Sequence, residues 1–263
     1  MVVLLAPCLW AVPPGGALEP GYRYMYNLQF EEAHRFFRDW ESAHPQDPMG
    51  PVSDAAAYLF TEFDRLGVLQ AEFFTDDDRF LTSRKLAADA GLKQRFESAL
   101  ERGERLAGLA LAREPADKNA LFAMLLRYGL HSDYAGLIER RYLLSLNEMK
   151  RGRKFAERLL ALDPTFCDAY VAIGVENYML SLKPAPVRWL LRIGGAQVDK
   201  AQGSAKLRLA ATKGRYLMPF ARLLLAVVAL RDKDREGARR ILRELVVEFP
   251  RNRLYVQELA RLG

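Results

Sequence analysis

Histidine, cysteine and clustered carboxylates are the side chains of this sequence best suited to metal binding or acid–base catalysis. The histidines are His34, His44 and His131. No two of them have the HExxH spacing that places two zinc ligands on one face of a helix. Neither Cys8 nor Cys167 stands beside a histidine. The sequence therefore offers no zinc-ligand set, and we predict neither a bound metal nor a cofactor.

Three further motifs contain residue types that can bind ions or act as nucleophiles, but their sequence context favours structural roles. The run Asp76–Asp78 lacks the spaced oxygen ligands and the glycine of a calcium loop, which indicates a solvated loop. Gly194 and Gly195 follow no strand and precede no GKS or GKT, so they predict a helix break rather than a phosphate loop. Cys167, beside a helix start, is either a thiol of lowered pKa or a buried structural thiol. We therefore predict no catalytic residue.

The composition is that of a folded chain: 50% of the 263 residues are hydrophobic, 27% are charged, and the formal net charge is +6. Basic and acidic residues alternate along the whole length, as in EEAHRFFRDWE and RDKDREGARR. That interleaving is typical of solvated helices rather than of a nucleic-acid-binding surface. We expect no nucleic-acid partner.

Residues 1–17 predict a signal peptide or a disordered N-terminus. An apolar run is followed by small residues and prolines, with a cleavage site expected between Ala11 and Ala17. No basic residue precedes Arg23, so the usual positive start of a signal is missing. Export or the cell envelope is favoured, and a cytoplasmic location is the alternative. Beyond this segment no run approaches about 18 apolar residues, so we predict no transmembrane span.

From Leu18 onward the hydrophobic pattern has helical periodicity throughout, and we assign residues 18–263 to one helical domain. The predicted helices include Phe30–Ala43, Asp133–Glu148, Lys150–Leu162 and Arg235–Glu248. Short polar breaks such as PQDPMGP, LDP and EFPRN separate them. A longer loop is expected at residues 70–80. Many helices joined by short connections predict antiparallel helical hairpins stacked side by side.

Four segments share a spacing rule: small, apolar, apolar and proline at relative positions 0, 4, 7 and 12. They begin at Ala33, Gly103, Gly152 and Ala238, and they end at Pro45, Pro115, Pro164 and Pro250. The small residue allows two helices to cross closely, and the next two continue the buried stripe. The proline ends the helix because it cannot donate a backbone hydrogen bond.

This pattern resembles the tetratricopeptide repeat (TPR). In the opening unit the match consists of Gly21, Tyr24, Phe30, Ala33, Phe37 and Pro45. A second first-helix match is Gly174. The resemblance implies an all-α, right-handed solenoid of stacked antiparallel hairpins. The prolines are 70, 49 and 86 residues apart, whereas the family period is about 34, so some units are degenerate or carry insertions. More weakly, residues 190–211 resemble the tetratricopeptide repeat protein thirty-nine branch.

The resemblance implies a groove lined by the first helix of each hairpin, in which a protein or peptide segment binds. The first helices supply these candidate contact residues: Tyr22, Tyr26, Arg127, Tyr128, Glu176, Asn177 and Tyr178. Tyrosine and arginine often anchor interfaces, although tyrosines at helical spacing also build cores. One hairpin also carries a basic cluster: Arg140, Arg141, Lys150, Arg151, Arg153 and Lys154. This cluster is either a solvated face or a site for an acidic peptide or anionic surface.

The sequence thus predicts a non-enzymatic protein–protein interaction scaffold, with self-association left open. The alternative is a cell-envelope assembly or secretion accessory factor, tethered or exported through its N-terminus. A third hypothesis is an enzyme with a groove site near Glu176 and His131. Fold resemblance alone does not choose among these functions.

Overall fold

The computed structural model describes residues 18–68, 86–181 and 199–263. Over these ranges the chain forms eleven α-helices and no strand, and consecutive helices pack against each other. The helices are α1 Glu19–Tyr26, α2 Phe30–Ala43, α3 Met49–Leu66, α4 Ala90–Arg113, α5 Lys118–Asp133, α6 Tyr142–Leu162, α7 Tyr170–Ser181, α8 Lys200–Lys213, α9 Met218–Arg231, α10 Arg235–Glu248 and α11 Arg253–Arg261. The predicted all-helical class is confirmed, and the arrangement is compatible with an α-solenoid. The expectations for residues 1–17, Asp76–Asp78 and Gly194–Gly195 lie outside the described residues.

The break that we predicted near residue 149 is wrong. After α5 the chain makes one π-helical turn over Tyr134–Ile138, and it reverses at Arg140, whose φ is 59°. Then α6 runs without interruption from Tyr142 to Leu162. The stretch NEMKRG carries no proline and only one glycine, Gly152, so local propensity gives little reason to end a helix there. The positive φ of Arg140, which a continuing α-helix excludes, sets the boundary.

The small residues of the spacing rule lie where helices approach most closely. Ala33 and Ala238 are completely buried. A Cβ added to Gly103 of α4 would lie 2.3 Å from Cγ2 of Val52 in α3. A Cβ added to Gly21 of α1 would lie 2.3 Å from the ring of Phe37 in α2. These positions stay small because a larger side chain would separate the two helices.

The prolines end helices as predicted. Helices α2, α4, α6 and α10 each end two residues before one of Pro45, Pro115, Pro164 and Pro250. The residue between has left the helical region, with φ −131° and ψ 66° at His44 and φ −146° and ψ 91° at Asp163. A proline ring disfavours the helical conformation for the residue before it, so this boundary is a local property of the sequence.

A fifth unit follows the same rule but was missed in the sequence because its proline is absent. Gly203, Leu207 and Ala210 of α8 occupy the small, apolar and apolar positions, and Arg215 stands where the proline would be. Gly203, Leu207 and Ala210 are all buried. This unit lies within the unexplained 86-residue interval between Pro164 and Pro250.

A buried carboxylate fixes the turn after α8 in place of that proline. Asp168 is 3% exposed and accepts hydrogen bonds from the backbone N–H groups of Arg215, at 2.9 Å, and Leu217, at 2.8 Å. Burial raises the pKa of the Asp168 carboxyl, while these N–H donors oppose that rise. The turn from α8 into α9 is therefore held by a side chain that lies just before α7.

The two ends of the described chain contact each other. Tyr26 in α1 donates its hydroxyl to the carbonyl of Tyr216 at 3.0 Å. Asn252, next to α11, donates through Nδ2 to the carbonyl of Tyr26 at 2.7 Å. The rings of Tyr22 and Tyr216 lie 4.8 Å apart, and that of Tyr26 lies 5.7 Å from Phe249. One hydrophobic core therefore joins the first helix to the last two.

The remaining residues of the opening unit vary in exposure. Phe37 is fully buried, Phe30 is half-buried and Tyr24 is 37% exposed. Trp40 of α2 lies against the start of α3: a Cβ on Gly50 would lie 3.2 Å from the indole. The indole N–H donates to Oδ2 of Asp47 at 2.8 Å.

The crossing role of Ala33 predicts the effect of enlarging it. We expect Ala33→Leu to lower the free energy of unfolding by about 2 kcal/mol, because extra methyl groups enter a filled space between helices. Chemical denaturation followed by circular dichroism measures this change. Ala43→Leu, at the exposed last position of α2, is the matched control and should change stability by less than about 0.5 kcal/mol. Equal stability of both variants would contradict the assignment of Ala33 to a crossing point.

Candidate interaction site

The two tyrosines expected in the groove of the first unit lie in the interior. Tyr22 and Tyr26 are each 3% exposed. The hydroxyl of Tyr22 is 3.0 Å from Oγ of Ser53, and that of Tyr26 is bonded to the Tyr216 carbonyl. In this conformation both side chains stabilise contacts within the chain, and their contact with a partner stays a prediction.

The three candidates on α7 are also buried. Tyr178 is 6% exposed, and Asn177 has no exposed surface. The carboxylate of Glu176 accepts a hydrogen bond from Nη1 of Arg153 in α6 at 3.2 Å. Burial raises the pKa of Glu176, and the positive charge of Arg153 opposes this rise. The α7 candidates therefore join α7 to its neighbours.

Arg127 and Tyr128 belong to a polar cluster at the junction of three helices. We call this group the Arg127 cluster: Glu104 from α4, Arg127, Tyr128 and His131 from α5, and Glu148 and Arg151 from α6. The guanidinium of Arg127 lies between two carboxylates. Its Nε is 2.7 Å from Oε2 of Glu104, and its Nη1 donates to Oε2 of Glu148. The same guanidinium covers the ring of Tyr128 at 4.6 Å.

Glu148 is the centre of the cluster. It is 4% exposed, and Nδ1 of His131 lies 2.8 Å from the oxygen that also binds Arg127. An ionised carboxylate only accepts hydrogen bonds, so Nδ1 of His131 carries the proton. Arg151 lies 3.7 Å from the second carboxylate oxygen. A buried carboxylate thus lies beside two arginine side chains and accepts a hydrogen bond from His131, as a buried charge requires.

Close packing of α5 on α6 positions this cluster. A Cβ added to Gly152 would lie 3.3 Å from Cβ of Tyr128, so the two helices meet beside the cluster. Glu148 stands four residues before Gly152 and therefore lies on the same face of α6. That spacing is the signal that could have identified Glu148 from the sequence. Nothing in the sequence places Glu104 near Arg127, because their proximity depends on the packing of α4 on α5.

The other candidate chemical groups have structural partners. His34 is buried, and its Nδ1 lies 2.6 Å from Oδ1 of Asp54. His44 stacks on Trp40, with ring centroids 3.7 Å apart. Cys167 is buried, and burial raises its thiol pKa, so the alternative of a lowered pKa is wrong. Cys167 is therefore better described as a buried structural thiol.

Glu176 and His131, the pair behind the enzyme hypothesis, have separate partners. Glu176 is bound to Arg153, and His131 is bound to Glu148. Within the part of the chain that the structure describes, no three His, Cys, Asp or Glu side chains are arranged to hold a metal ion. No helix in those ranges combines the length and the apolar composition needed to cross a membrane.

The sequence matches no protein-family model and no curated protein.

Proposed function

We propose that this chain is a non-enzymatic protein–protein interaction scaffold, built as a right-handed TPR-like solenoid, and that the Arg127 cluster is its binding surface for a protein segment. Five helix pairs that follow one small-residue spacing rule support the repeat architecture. The observation that carries the functional proposal is the fixed position of Arg127 between Glu104 and Glu148, above the ring of Tyr128.

The cluster has the anatomy of an interaction hot spot. Its centre is shielded from solvent, with only 15% of the Arg127 side chain and 5% of the Glu148 side chain exposed. Its rim is accessible, with 63% of Arg151, 37% of Glu104 and 26% of His131 exposed. Pre-positioned arginine and tyrosine side chains lose little conformational freedom when a partner binds. A partner carboxylate or backbone carbonyl would then be recognised by donors that are already in place.

The test is an affinity pull-down from native cell extract with wild-type protein and an Arg127→Ala/Arg151→Ala double variant. We expect one protein to be retained by the wild type and bound at least about tenfold more weakly by the double variant. Arg105→Ala/Arg243→Ala removes the same charge from exposed positions outside the cluster and should retain the partner. Circular dichroism verifies that each variant is folded. Equal recovery by both double variants, or no specifically retained protein, would refute the proposal.

A further inference from the structure

The exposed side of α6 carries apolar residues followed by basic ones on a single stripe. Leu143, Leu146, Lys150 and Lys154 are spaced at i, i+3, i+7 and i+11, which places them on one side of a helix. Leu143 is 80% exposed and Leu146 is 36% exposed. Both lysines are exposed, and among the described residues neither has a carboxylate within ion-pair distance. We call these four residues the α6 stripe.

The positive charge of the chain is concentrated around this stripe. Residues 139–162 contain seven basic and three acidic side chains, a net charge of +4 out of +6 for the whole chain. Each acidic side chain of this segment lies beside at least one basic partner. Glu139 binds Lys93 at 2.6 Å, Glu157 binds Arg153 at 2.7 Å, and Glu148 lies in the Arg127 cluster. The exposed charge near the stripe is therefore positive.

Helix α8 contains four basic residues and no acidic one. Its Lys206 lies near α6, where burial lowers the pKa of its ammonium group and the charge of Arg153 lowers it further. Arg208 and Lys213 of α8 are exposed. Through Lys206, α8 thus places one further cation beside α6, which favours a partner with a high density of negative charge.

We propose that the α6 stripe docks this protein on an anionic phospholipid surface. Leu143 and Leu146 would enter the boundary between headgroups and acyl chains, while Lys150 and Lys154 would contact lipid phosphates. Peripheral helices that lie on membranes combine protruding apolar side chains with flanking lysines in this way. The stripe spans about 16 Å along the helix, from the rise of about 1.5 Å per residue, and can lie flat. This inference does not depend on the protein partner of the Arg127 cluster.

A lipid surface fits the stripe better than an acidic protein does. Leu143 projects into solvent, whereas helix-in-groove recognition of a protein segment needs a hydrophobic groove to receive the segment. Lysines on flexible stems can follow mobile headgroups without fixed geometry. The pre-positioned arginine and tyrosine that suit a protein partner lie elsewhere, in the Arg127 cluster.

Vesicle co-sedimentation of the full chain tests this proposal. The probes are vesicles of equimolar phosphatidylcholine and phosphatidylglycerol, and vesicles of phosphatidylcholine alone. We expect binding to the anionic vesicles only, weakening as salt is raised. Lys150→Glu/Lys154→Glu should weaken it at least about tenfold, because each cation near the surface contributes to the attraction. Leu143→Ser/Leu146→Ser should weaken it by roughly tenfold through lost apolar burial.

Matched controls isolate the stripe. Arg105→Glu/Arg243→Glu makes the same charge change elsewhere, and Val247→Ser/Val256→Ser removes two exposed apolar side chains from α10 and α11. Both controls should still bind anionic vesicles. Equal binding to neutral vesicles, equal loss in the controls, or no vesicle binding would overturn the proposal. Binding of soluble polyglutamate through the stripe without vesicle binding would assign it to an acidic protein instead.

Discussion

Replacing Gly203 with leucine is expected to lower the free energy of unfolding by about 3 kcal/mol. A Cβ at this position of α8 would lie 2.9 Å from the backbone nitrogen of Tyr178 and 3.0 Å from the carbonyl oxygen of Gly174, both in α7. These neighbours are main-chain atoms, so rotating a side chain cannot relieve the overlap. The two helices would have to separate, exposing the buried stripe that includes Leu207. Urea unfolding followed by circular dichroism measures the loss.

A pair of alanine variants separates this contact from helix propensity. Gly108 in α4 is exposed, and a Cβ there would meet nothing within 4 Å. Gly108→Ala should therefore raise stability by about 0.5–1 kcal/mol, since alanine is the better helix former. Gly203→Ala makes the same chemical change yet should lose about 1 kcal/mol. If both variants gain stability, α7 and α8 do not cross at Gly203.

Replacing Asn252 with alanine is expected to cost about 3 kcal/mol. Asn252 is 3% exposed and has two roles. Its Oδ1 caps α11 by accepting hydrogen bonds from the N–H groups of Leu254 and Tyr255, worth about 1 kcal/mol. Its Nδ2 donates to the carbonyl of Tyr26 in α1, and losing that bond leaves a buried acceptor, which costs about 1–3 kcal/mol. The loss should appear in the global unfolding transition, because the bond joins both ends of the chain.

Two variants separate the cap from the contact between the ends. Asp117→Ala removes a helix cap of the same type at α5, where the side chain accepts from the N–H groups of Asn119 and Ala120, and should cost about 1 kcal/mol. Asn252→Asp keeps the capping oxygen but removes the donor to Tyr26. It should cost more than Asp117→Ala, because a carboxylate would then face the carbonyl. If Asn252→Asp is as stable as the wild type, the ends are not held together by this bond.

Local chemistry explains the parts of the fold that the sequence predicted well. The ends of α2 and α10 were predicted at Ala43 and Glu248, where the structure has them, because Pro45 and Pro250 act on the residue just before them. The burial of Ala33 and Phe37 followed from helical periodicity within one segment. These properties depend on residues only a few positions apart.

The predictions that failed or stayed incomplete concern the connections between helices, namely the boundary between α5 and α6 and the turn after α8. The boundary between α5 and α6 was misplaced because it depends on a positive φ at Arg140, and arginine is not a residue type that signals one. The α8 unit was missed because its turn is fixed by Asp168 across a distance of 47 residues instead of by a proline. A search for the proline could not find a turn held by a distant carboxylate.

By itself, the sequence determined the helical class, the proline-terminated helix ends and the small-residue spacing of four helix pairs. The tertiary structure alone decided that Tyr22 and Tyr26 lie in the interior, since the distant rings of Tyr216 and Phe249 pack against them. The tertiary structure also decided that Glu104 forms an ion pair with Arg127. The physical reason is range: propensity and periodicity act within a few residues, whereas burial and ion pairing depend on which distant helices meet.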